Sequence, residues 1–260
     1  MSVSPAFTLE DVSVLYRRTP ALAGVSLQIH AGEKVAFVGP SGSGKTTLLR
    51  LLNGSIRPTT GTVRVHGRAL HEMSAAELRR TRASIGFVHQ DLRLVPNLRV
   101  LQNVVAGRLG TLSLAASLRA MLLTPRRLQR DAYDMLDRVG IGEKLYERTD
   151  RLSGGQQQRV AIARALFQQP LALLADEPVS SVDPARARDA VRLLADISTE
   201  FGLTLCVSLH NLDLAREWFP RLVGVRRGRL AFDRAASELR PQEFDALYHL
   251  ESAELVDDAS

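Results

Sequence analysis

Residues 39–46 constrain the fold more than any other part of this sequence, because they read Gly-Pro-Ser-Gly-Ser-Gly-Lys-Thr. A short apolar run, residues 34–38, precedes them, and a leucine-rich run, residues 46–53, follows and ends at Gly54. The spacing G-x-x-x-x-G-K-[ST] between a strand and a helix is typical of a loop that wraps a polyphosphate. The sequence therefore predicts a strand, a phosphate loop and a helix in that order.

The residue types in this phosphate loop, residues 39–46, suit a dense negative charge. Glycine allows the backbone N–H groups to approach an anion closely, and the following helix directs about half a positive charge at it. Lys45 can reach terminal phosphates, and the Thr46 hydroxyl is a hard oxygen ligand for Mg²⁺. The alternative is a glycine-rich turn with an incidental lysine. We expect the nucleotide to contact Gly39, Pro40, Ser41, Gly42, Ser43, Gly44, Lys45, Thr46 and Thr47.

Two acidic residues follow a second apolar run, residues 171–175. In an open α/β sheet, ligands bind at the carboxyl ends of the strands, which is where Asp176 and Glu177 are expected. Asp176 is a candidate for the Mg²⁺ shell, and Glu177 is a candidate to polarise the water that attacks the γ-phosphate. The alternative is a loop with two solvated acids.

The hydrophobic pattern along the chain indicates an α/β fold. Helical spacing dominates residues 91–164, and a further helix is expected over residues 185–199. The order of strands and helices predicts a mostly parallel sheet with a helical insertion. Strands are expected at residues 7–15, 25–29, 34–39, 62–65, 84–89, 171–175, 204–208 and 222–225.

Composition excludes several other classes of protein. The chain has 260 residues, of which 45% are apolar, and this apolar fraction is too high for a disordered chain or a collagen. Its single cysteine, Cys206, excludes an intrachain disulfide and favours a reducing compartment. The absence of a long apolar run and of a secretory signal leads us to expect a cytoplasmic protein that does not span a bilayer. The net charge of +6 could attract nucleic acid or an anionic membrane, or could be spread over a solvated surface.

A third motif, residues 152–156, reads Leu-Ser-Gly-Gly-Gln. Together with the phosphate loop, this motif resembles the ATP-binding-cassette (ABC) ATPase family over residues 7–233. The resemblance implies a P-loop (RecA-like) core with a mostly parallel sheet, an antiparallel β part near the N-terminus and an inserted helical subdomain. Its boundaries would be residues 1–90 and 165–240 for the core, 91–164 for the helical subdomain and 241–260 for a C-terminal tail.

The resemblance also implies two bound ATP molecules with Mg²⁺ and a second copy of the chain. In this family, the residues corresponding to Ser153, Gly154, Gly155 and Gln156 contact the γ-phosphate of ATP held by the other copy in a head-to-tail dimer. We expect a helix to begin near Gln156, so that its N-terminus can face an anion. The alternative for this segment is an N-capped helix after a flexible turn.

Four further positions match family elements. By resemblance, Tyr16 stacks on adenine, Gln90 touches Mg²⁺ and the attacking water, His210 contacts the γ-phosphate, and residues 181–183 cross the dimer interface. The alternatives are a half-buried strand aromatic, a surface glutamine, a structural histidine and the capped start of a helix. The sequence departs from the family at Asn211, which follows His210 where an acid is usual.

Two other departures from the family pattern concern His89 and Val182. His89 stands where phenylalanine often precedes the family glutamine, and Val182 stands where leucine is common. Neither departure removes a chemical group from the reaction, so both bear on the subfamily only.

Several sequence segments resemble the ATPase subunit of bacterial phosphonate importers, namely residues 103–110, 174–179, 208–217 and 244–248. A long spacer, residues 111–127, resembles that subunit as well. This resemblance implies that ATP hydrolysis drives uptake of a phosphonate, or a related phosphorus oxyanion, through a separate permease. A periplasmic binding protein would deliver the solute, and the chain would lie at the cytoplasmic face of the inner membrane. The face around Gln90 and residues 94–105 would dock the permease.

Other functions remain open at this point. The ATPase could serve a polar amino-acid importer, or an exporter with separate membrane subunits. A non-transport ABC protein acting on nucleic acid or ribosomes has only the positive charge in its favour, and we expect no nucleic-acid partner.

Overall fold

Two β-sheets organise the fold, and the computed structural model of the chain describes residues 5–17, 19–178 and 184–248. The strands are β1 Pro5–Tyr16, β2 Thr19–His30, β3 Lys34–Val38, β4 Thr60–Val65, β5 Arg68–Ala69, β6 Ile85–Val88, β7 Ala172–Ala175, β8 Thr204–Leu209, β9 Arg221–Arg226 and β10 Arg229–Ala235. The helices are α1 Lys45–Leu52, α2 Ala75–Ala83, α3 Val100–Val105, α4 Leu114–Leu123, α5 Arg126–Arg138, α6 Gly154–Phe167, α7 Pro184–Phe201, α8 Leu212–Trp218 and α9 Pro241–Tyr248.

The larger sheet has the strand order β10-β9-β3-β8-β7-β6. Strands β9, β3, β8, β7 and β6 are parallel to their neighbours, and β10 joins the edge antiparallel to β9. The smaller sheet is antiparallel, with the order β2-β1-β4-β5. This arrangement confirms the expected α/β fold with an antiparallel part near the N-terminus.

The parallel sheet is buried on both faces. In β3, Val35 and Phe37 belong to the apolar core shared with the smaller sheet and α1, whereas Ala36 and Val38 face the core shared with the helices. Side chains alternate between the faces of a strand, so one five-residue strand contributes to both cores. Because both faces of β3 are buried, residues 35–38 are all apolar, and only Lys34 at the start of the strand is charged.

The helical section between β6 and β7 packs on one side of this sheet. Helix α6 contributes fully buried Val160, Ala161 and Ile162 to the same core as Val104 of α3 and Leu136 of α5. The insertion expected over residues 91–164 is therefore helical, although its boundaries stay predictions. In the described part of the chain, no helix is both long enough and apolar enough to cross a bilayer.

The sequence pattern missed several elements and misplaced one helix start. Helix α6 begins at Gly154 rather than near Gln156, because Ser153 is its N-cap. Strands β5 and β10 and helices α2, α8 and α9 were not expected. Strand β10 has exposed or half-buried residues throughout, so its pattern lacks the apolar run that marked the central strands.

Candidate functional site

The phosphate loop joins β3 to α1 at the carboxyl end of the parallel sheet. Gly39 has a φ of +151°, and a Cβ there would lie 2.1 Å from the carbonyl oxygen of Val225. Gly44 has a φ of +110°, and a Cβ there would lie 2.6 Å from the carbonyl oxygen of Ala21. Glycine is therefore required at both ends of the loop, where neighbouring backbones approach closely.

The N-terminus of α1 is suited to an anion. Gly44 is its N-cap, and within the described residues no side chain caps this helix end. The first N–H groups of a helix lack intrahelical partners, so they can donate to a phosphate. The Ser43 hydroxyl is buried in the same loop without a hydrogen-bond partner among the described residues. A buried hydroxyl without a partner fits a ligand oxygen.

Lys45 is 3% exposed and turns its ammonium back over the loop. Its Nζ atom donates to the carbonyl oxygens of Gly39, at 2.8 Å, and Pro40, at 2.9 Å, and lies 3.6 Å from Oε1 of Glu177. Burial lowers the pKa of Lys45 below its usual 10.5, and the carboxylates of Glu177 and Asp176 act in the opposite direction. The ammonium is therefore placed among the groups that would surround a terminal phosphate.

Asp176 and Glu177 follow β7, as the sequence predicts. Asp176 is buried, and its Oδ1 atom accepts hydrogen bonds from the hydroxyls of Thr46, at 3.0 Å, and Ser208, at 2.9 Å. The backbone N–H of Glu177 donates to the Ser208 hydroxyl at 2.8 Å. Ser208 thus connects both acidic residues to β8, and the sequence reasoning did not select it.

The donor set fits a magnesium ion that also binds a nucleotide. Within the described ranges, no three His, Cys, Asp or Glu side chains gather into a site that could hold a metal alone. Mg²⁺ commonly takes only one or two protein ligands and completes its shell with waters and substrate phosphates. Thr46 and Asp176 supply such oxygens, and they line a cavity of about 420 Å³ together with Gln90.

Glu177 also contacts His210, another residue that the sequence predicts for the site. Its Oε2 atom lies 3.0 Å from Nε2 of His210, which follows β8 and is 39% exposed, whereas Glu177 is 12% exposed. Glu177 has a φ of +44°, a left-handed conformation that is uncommon outside glycine. The structure therefore brings together Lys45, Glu177 and His210, which lie far apart in the chain.

The C-terminal helix α9 adds an aromatic residue to this region. The Tyr248 hydroxyl donates to the carbonyl oxygen of His210 at 3.0 Å. Burial raises the pKa of Tyr248, and the Gly39 backbone, which also hydrogen-bonds its hydroxyl, opposes that shift. In the sequence, residues 244–248 only resemble a segment of phosphonate-importer ATPases, so the position of Tyr248 beside His210 was not predicted.

The signature segment, residues 152–156, lies at a separate surface. Ser153 and Gln156 form a capping box at the start of α6: the Gln156 N–H donates to the Ser153 hydroxyl, and the Ser153 N–H donates to the Gln156 side chain. The 270 Å³ cavity lined by Ser153, Gly155 and Gln156 shares no lining residue with the cavity of Thr46 and Asp176. One copy of the chain therefore does not join the two motifs in one cavity.

The two signature glycines have open space around them. A Cβ at Gly154 or Gly155 would meet nothing within 4 Å among the described residues. Packing among the described residues therefore does not require glycine at either position.

Tyr16 and residues 181–183 are the remaining positions that the sequence predicts for the site. Tyr16 ends β1 with a side chain that is 47% exposed, which leaves a ring face accessible for stacking. Residues 181–183, expected at a dimer interface, lie outside the described residues. The roles expected for all these site residues stay predictions.

Comparison with known proteins agrees with this geometry. The sequence pattern of the ABC transporter family matches residues 22–180. The ATP-binding cassette MJ0796, solved as a dimer in a post-hydrolysis state bound to ADP and Pi, is 30% identical, with a TM-score of 0.76 over 88% of this chain and 98% of that chain. The cbiO1 structure from Clostridium perfringens is 26% identical with a TM-score of 0.78, covering 98% of this chain and 94% of that chain.

Curated relatives carry more specific names. "Phosphonates import ATP-binding protein PhnC" of Anaeromyxobacter dehalogenans is 50% identical over 94% of this chain, which spans about half, 48%, of that protein. "Phosphonates import ATP-binding protein PhnC 2" of Pseudomonas aeruginosa is 48% identical over 88% of this chain and 85% of that protein. "Phosphate-import ATP-binding protein PhnC" of Mycolicibacterium smegmatis is 46% identical over 92% of this chain and 90% of that protein.

The match of the family pattern to residues 22–180 and the identity to the curated relatives are consistent with the α/β fold described above. From them we conclude that this chain belongs to the ABC transporter family, as its motifs predict.

Proposed function

We propose that this chain is the ATP-hydrolysing subunit of a bacterial importer and that it drives uptake of a phosphorus oxyanion, with phosphonate as the first candidate. The observation that carries the enzymatic part is the Glu177 carboxylate, held between the His210 imidazole and the Lys45 ammonium beside the phosphate loop. The relatives' names support the class of solute.

In this proposal, different residues bind the phosphates, hold the metal ion and accept the proton of the attacking water. The phosphate loop and the N-terminus of α1 bind the β- and γ-phosphates, and Lys45 neutralises their charge. Thr46 and Asp176 would hold Mg²⁺ with Gln90 nearby, and the ion would neutralise charge that develops on the phosphates. Glu177 accepts a proton from the attacking water, and His210 orients that carboxylate toward the γ-phosphate.

A second copy of the chain would complete each site. The signature segment, with its capped helix end and its uncrowded glycines, is suited to approach a γ-phosphate held by the other copy. Tyr16 would stack on adenine. Residues 153–156 of one copy and the phosphate loop of the other would enclose each ATP, which supports a head-to-tail dimer.

The groove beside Gln90 is the proposed docking face for the permease. A cavity of about 380 Å³ is lined there by His89, which directly follows β6, and by Arg93, Gly107 and Arg164 of the helical insertion. A cytoplasmic helix of a permease could insert between these two parts and sense the site through Gln90. This docking would place the chain at the cytoplasmic face of the inner membrane.

Uptake measurements test the solute. A strain that lacks this gene should regain growth on a phosphonate as sole phosphorus source when the wild-type chain is supplied, and should not regain it with Glu177→Gln. The Glu200→Gln variant, at an exposed carboxylate, is the control and should restore growth.

The name of the mycobacterial relative makes inorganic phosphate the second candidate. Growth that depends on the chain only when phosphate is limiting, with normal use of phosphonate in its absence, would assign phosphate instead. Dependence on the chain for amino-acid uptake, with neither phosphorus source affected, would contradict the proposal.

A further inference from the structure

Helix α4 exposes four large apolar side chains to solvent and buries the small residue Ala120 against the protein. Leu114, Leu118, Leu122 and Leu123 are 78%, 55%, 78% and 77% exposed, whereas Ala120 is 3% exposed. Single surface leucines are ordinary, but a cluster of four on one ten-residue helix exceeds what a solvated surface requires. This helix therefore carries an apolar face that the described part of the chain leaves uncovered.

The exposed leucines form a continuous stripe. Leu114, Leu118 and Leu122 are spaced by four residues, so they lie above one another on the same side of the helix. The helix is held to the insertion by buried Ala120 and by a hydrogen bond of 3.4 Å from the Gln102 side chain to the carbonyl oxygen of Met121. The leucine stripe is thus presented by a helix that the rest of the chain anchors.

The charged residues of α4 and of the first five positions of α5 are all arginines. From residue 114 to residue 130 the sequence contains four arginines, Arg119, Arg126, Arg127 and Arg130, and no aspartate or glutamate. All four are exposed. Within the described ranges, none of them lies within 4.0 Å of a carboxylate.

Other arginines of the same subdomain do have acidic partners. Arg108 contacts Asp131, Arg138 contacts Glu200, and Arg148 contacts Asp150. The lack of acidic partners is thus a local property of Arg119 on α4 and of the three arginines at the start of α5.

We propose that α4 and these four arginines, here called the leucine–arginine face, bind an anionic lipid surface. A helix with leucines on its outer side lies in the plane of a bilayer, with its apolar side chains at the headgroup boundary. Arg119 on this helix and the three arginines at the start of α5 would meet the same surface. The arginine side chains keep their charged ends among the lipid phosphates while their stems cover apolar surface.

Charge complementarity favours lipid over a protein partner. A second copy of this basic chain would bring more positive charge to the same face, and an apolar permease helix would cover the leucines without balancing the arginines. An anionic bilayer would cover the leucines with its apolar interior and pair the arginines with its lipid phosphates. The inference goes beyond the proposed function, because lipid binding by this face requires neither ATP hydrolysis nor a particular solute.

Vesicle flotation with the full-length chain tests the proposal. We expect the chain to float with vesicles of phosphatidylcholine mixed with phosphatidylglycerol, and to float weakly with phosphatidylcholine alone. The double variant Leu118→Ser/Leu122→Ser, and separately Arg126→Gln/Arg127→Gln, should each lower partitioning into the mixed vesicles by about tenfold or more, because each removes one of the two contributions.

Two matched controls separate this face from general effects. Leu171→Ser removes an exposed leucine outside α4, at 57% exposure, and should leave flotation unchanged. Arg188→Gln/Arg192→Gln removes the same charge as the arginine variant from α7 and should reduce flotation much less. ATP turnover without vesicles should be unchanged in both the leucine variant and the arginine variant of the leucine–arginine face. This measurement distinguishes loss of lipid binding from loss of folding.

Three outcomes would overturn the proposal. The first is a wild-type chain that fails to float with the mixed vesicles. The second is equal loss of flotation in the α7 variant, which would make net charge the cause. The third is unchanged flotation in the leucine variant together with loss of permease co-purification, which would assign the face to a protein contact.

Discussion

His210 and Glu177 form a close pair, with 3.0 Å between the Nε2 and Oε2 atoms, although 33 positions separate them in the chain. The other carboxylate oxygen of Glu177 lies 3.6 Å from Nζ of Lys45. Each oxygen of this carboxylate therefore faces a different basic group, one on the phosphate loop and one after β8. In the proposed mechanism, these two contacts would orient Glu177, as general base, with respect to the γ-phosphate.

Glu177→Gln should abolish turnover while preserving nucleotide binding. The amide keeps the size of the side chain but is a far poorer proton acceptor, so we expect ATP hydrolysis to fall by about 10²-fold or more. Phosphate release and nucleotide binding, measured on the same preparation, separate the two effects. Glu200→Gln, at an exposed ion pair with Arg138, is the control. Hydrolysis near the wild-type rate would remove Glu177 from this role.

The same variant tests the proposed dimer. With hydrolysis blocked and Mg-ATP in excess, the Glu177→Gln chain should sediment as a dimer, because each ATP would hold the phosphate loop of one copy to the signature segment of the other. Monomers alone under these conditions would contradict the shared site.

Lys45→Ala should weaken nucleotide binding. The variant removes a buried ammonium that bonds the Gly39 and Pro40 carbonyls and faces Glu177. A hydrogen bond to a charged group contributes about 1.5–3 kcal/mol, which corresponds to a loss of about tenfold to a hundredfold in ATP affinity. Lys144→Ala removes the same charge from a half-buried site in the helical insertion and should leave the affinity unchanged. Equal affinities for ATP in the two variants would contradict the phosphate-loop role.

Tyr248→Phe should slow turnover without changing ATP affinity. The hydroxyl donates to the His210 carbonyl at 3.0 Å, so its loss frees the backbone that carries the imidazole. A neutral hydrogen bond contributes about 1 kcal/mol, and we therefore expect kcat to fall about fivefold. Tyr133→Phe, at an exposed tyrosine on α5, is the control. An unchanged kcat would show that α9 does not position His210.

The sequence predicts the parts of this site that depend on strand ends. The phosphate loop follows β3 and the acidic pair follows β7, and parallel strands bring such positions to one edge of the sheet. Ser208 was not predicted because its contact with Asp176 depends on the register of two strands. Strand β8 pairs with β7 so that Ala175 lies opposite Val207, which places Ser208, the next residue of β8, beside Asp176. A serine inside an otherwise apolar strand was the available signal.

Tyr248 could not be predicted for a different reason. Its contact with His210 depends on how α9 packs beside the sheet, and no local pattern in residues 241–248 indicates that placement. Strand β10 was missed because an antiparallel edge strand that is exposed over most of its length needs no apolar run. Local spacing thus predicted the elements that bind phosphate, and tertiary packing determined the residues that support them.

Glu77→Gln should lower stability in a pH-dependent manner. The Glu77 carboxylate accepts a hydrogen bond from Arg68 at 2.7 Å and completes the capping box of α2 with Ser74, and these contacts, Arg68 first, lower its pKa from 4.5 to about 2. The amide of glutamine can still cap the helix but cannot form the ion pair. Above pH 4.5 the wild-type chain should therefore have the larger free energy of unfolding.

The difference between the two chains should shrink as the pH falls from 4.5 toward 2. In that range the unfolded chain takes up a proton at residue 77 before the folded chain does, so the contribution of the ion pair is lost. Chemical denaturation of both chains at successive pH values measures this change. Glu72→Gln, at an exposed carboxylate 3.8 Å from His71, is the control. A difference that stays constant over this pH range would assign the stability loss to packing rather than to the charge of Glu77.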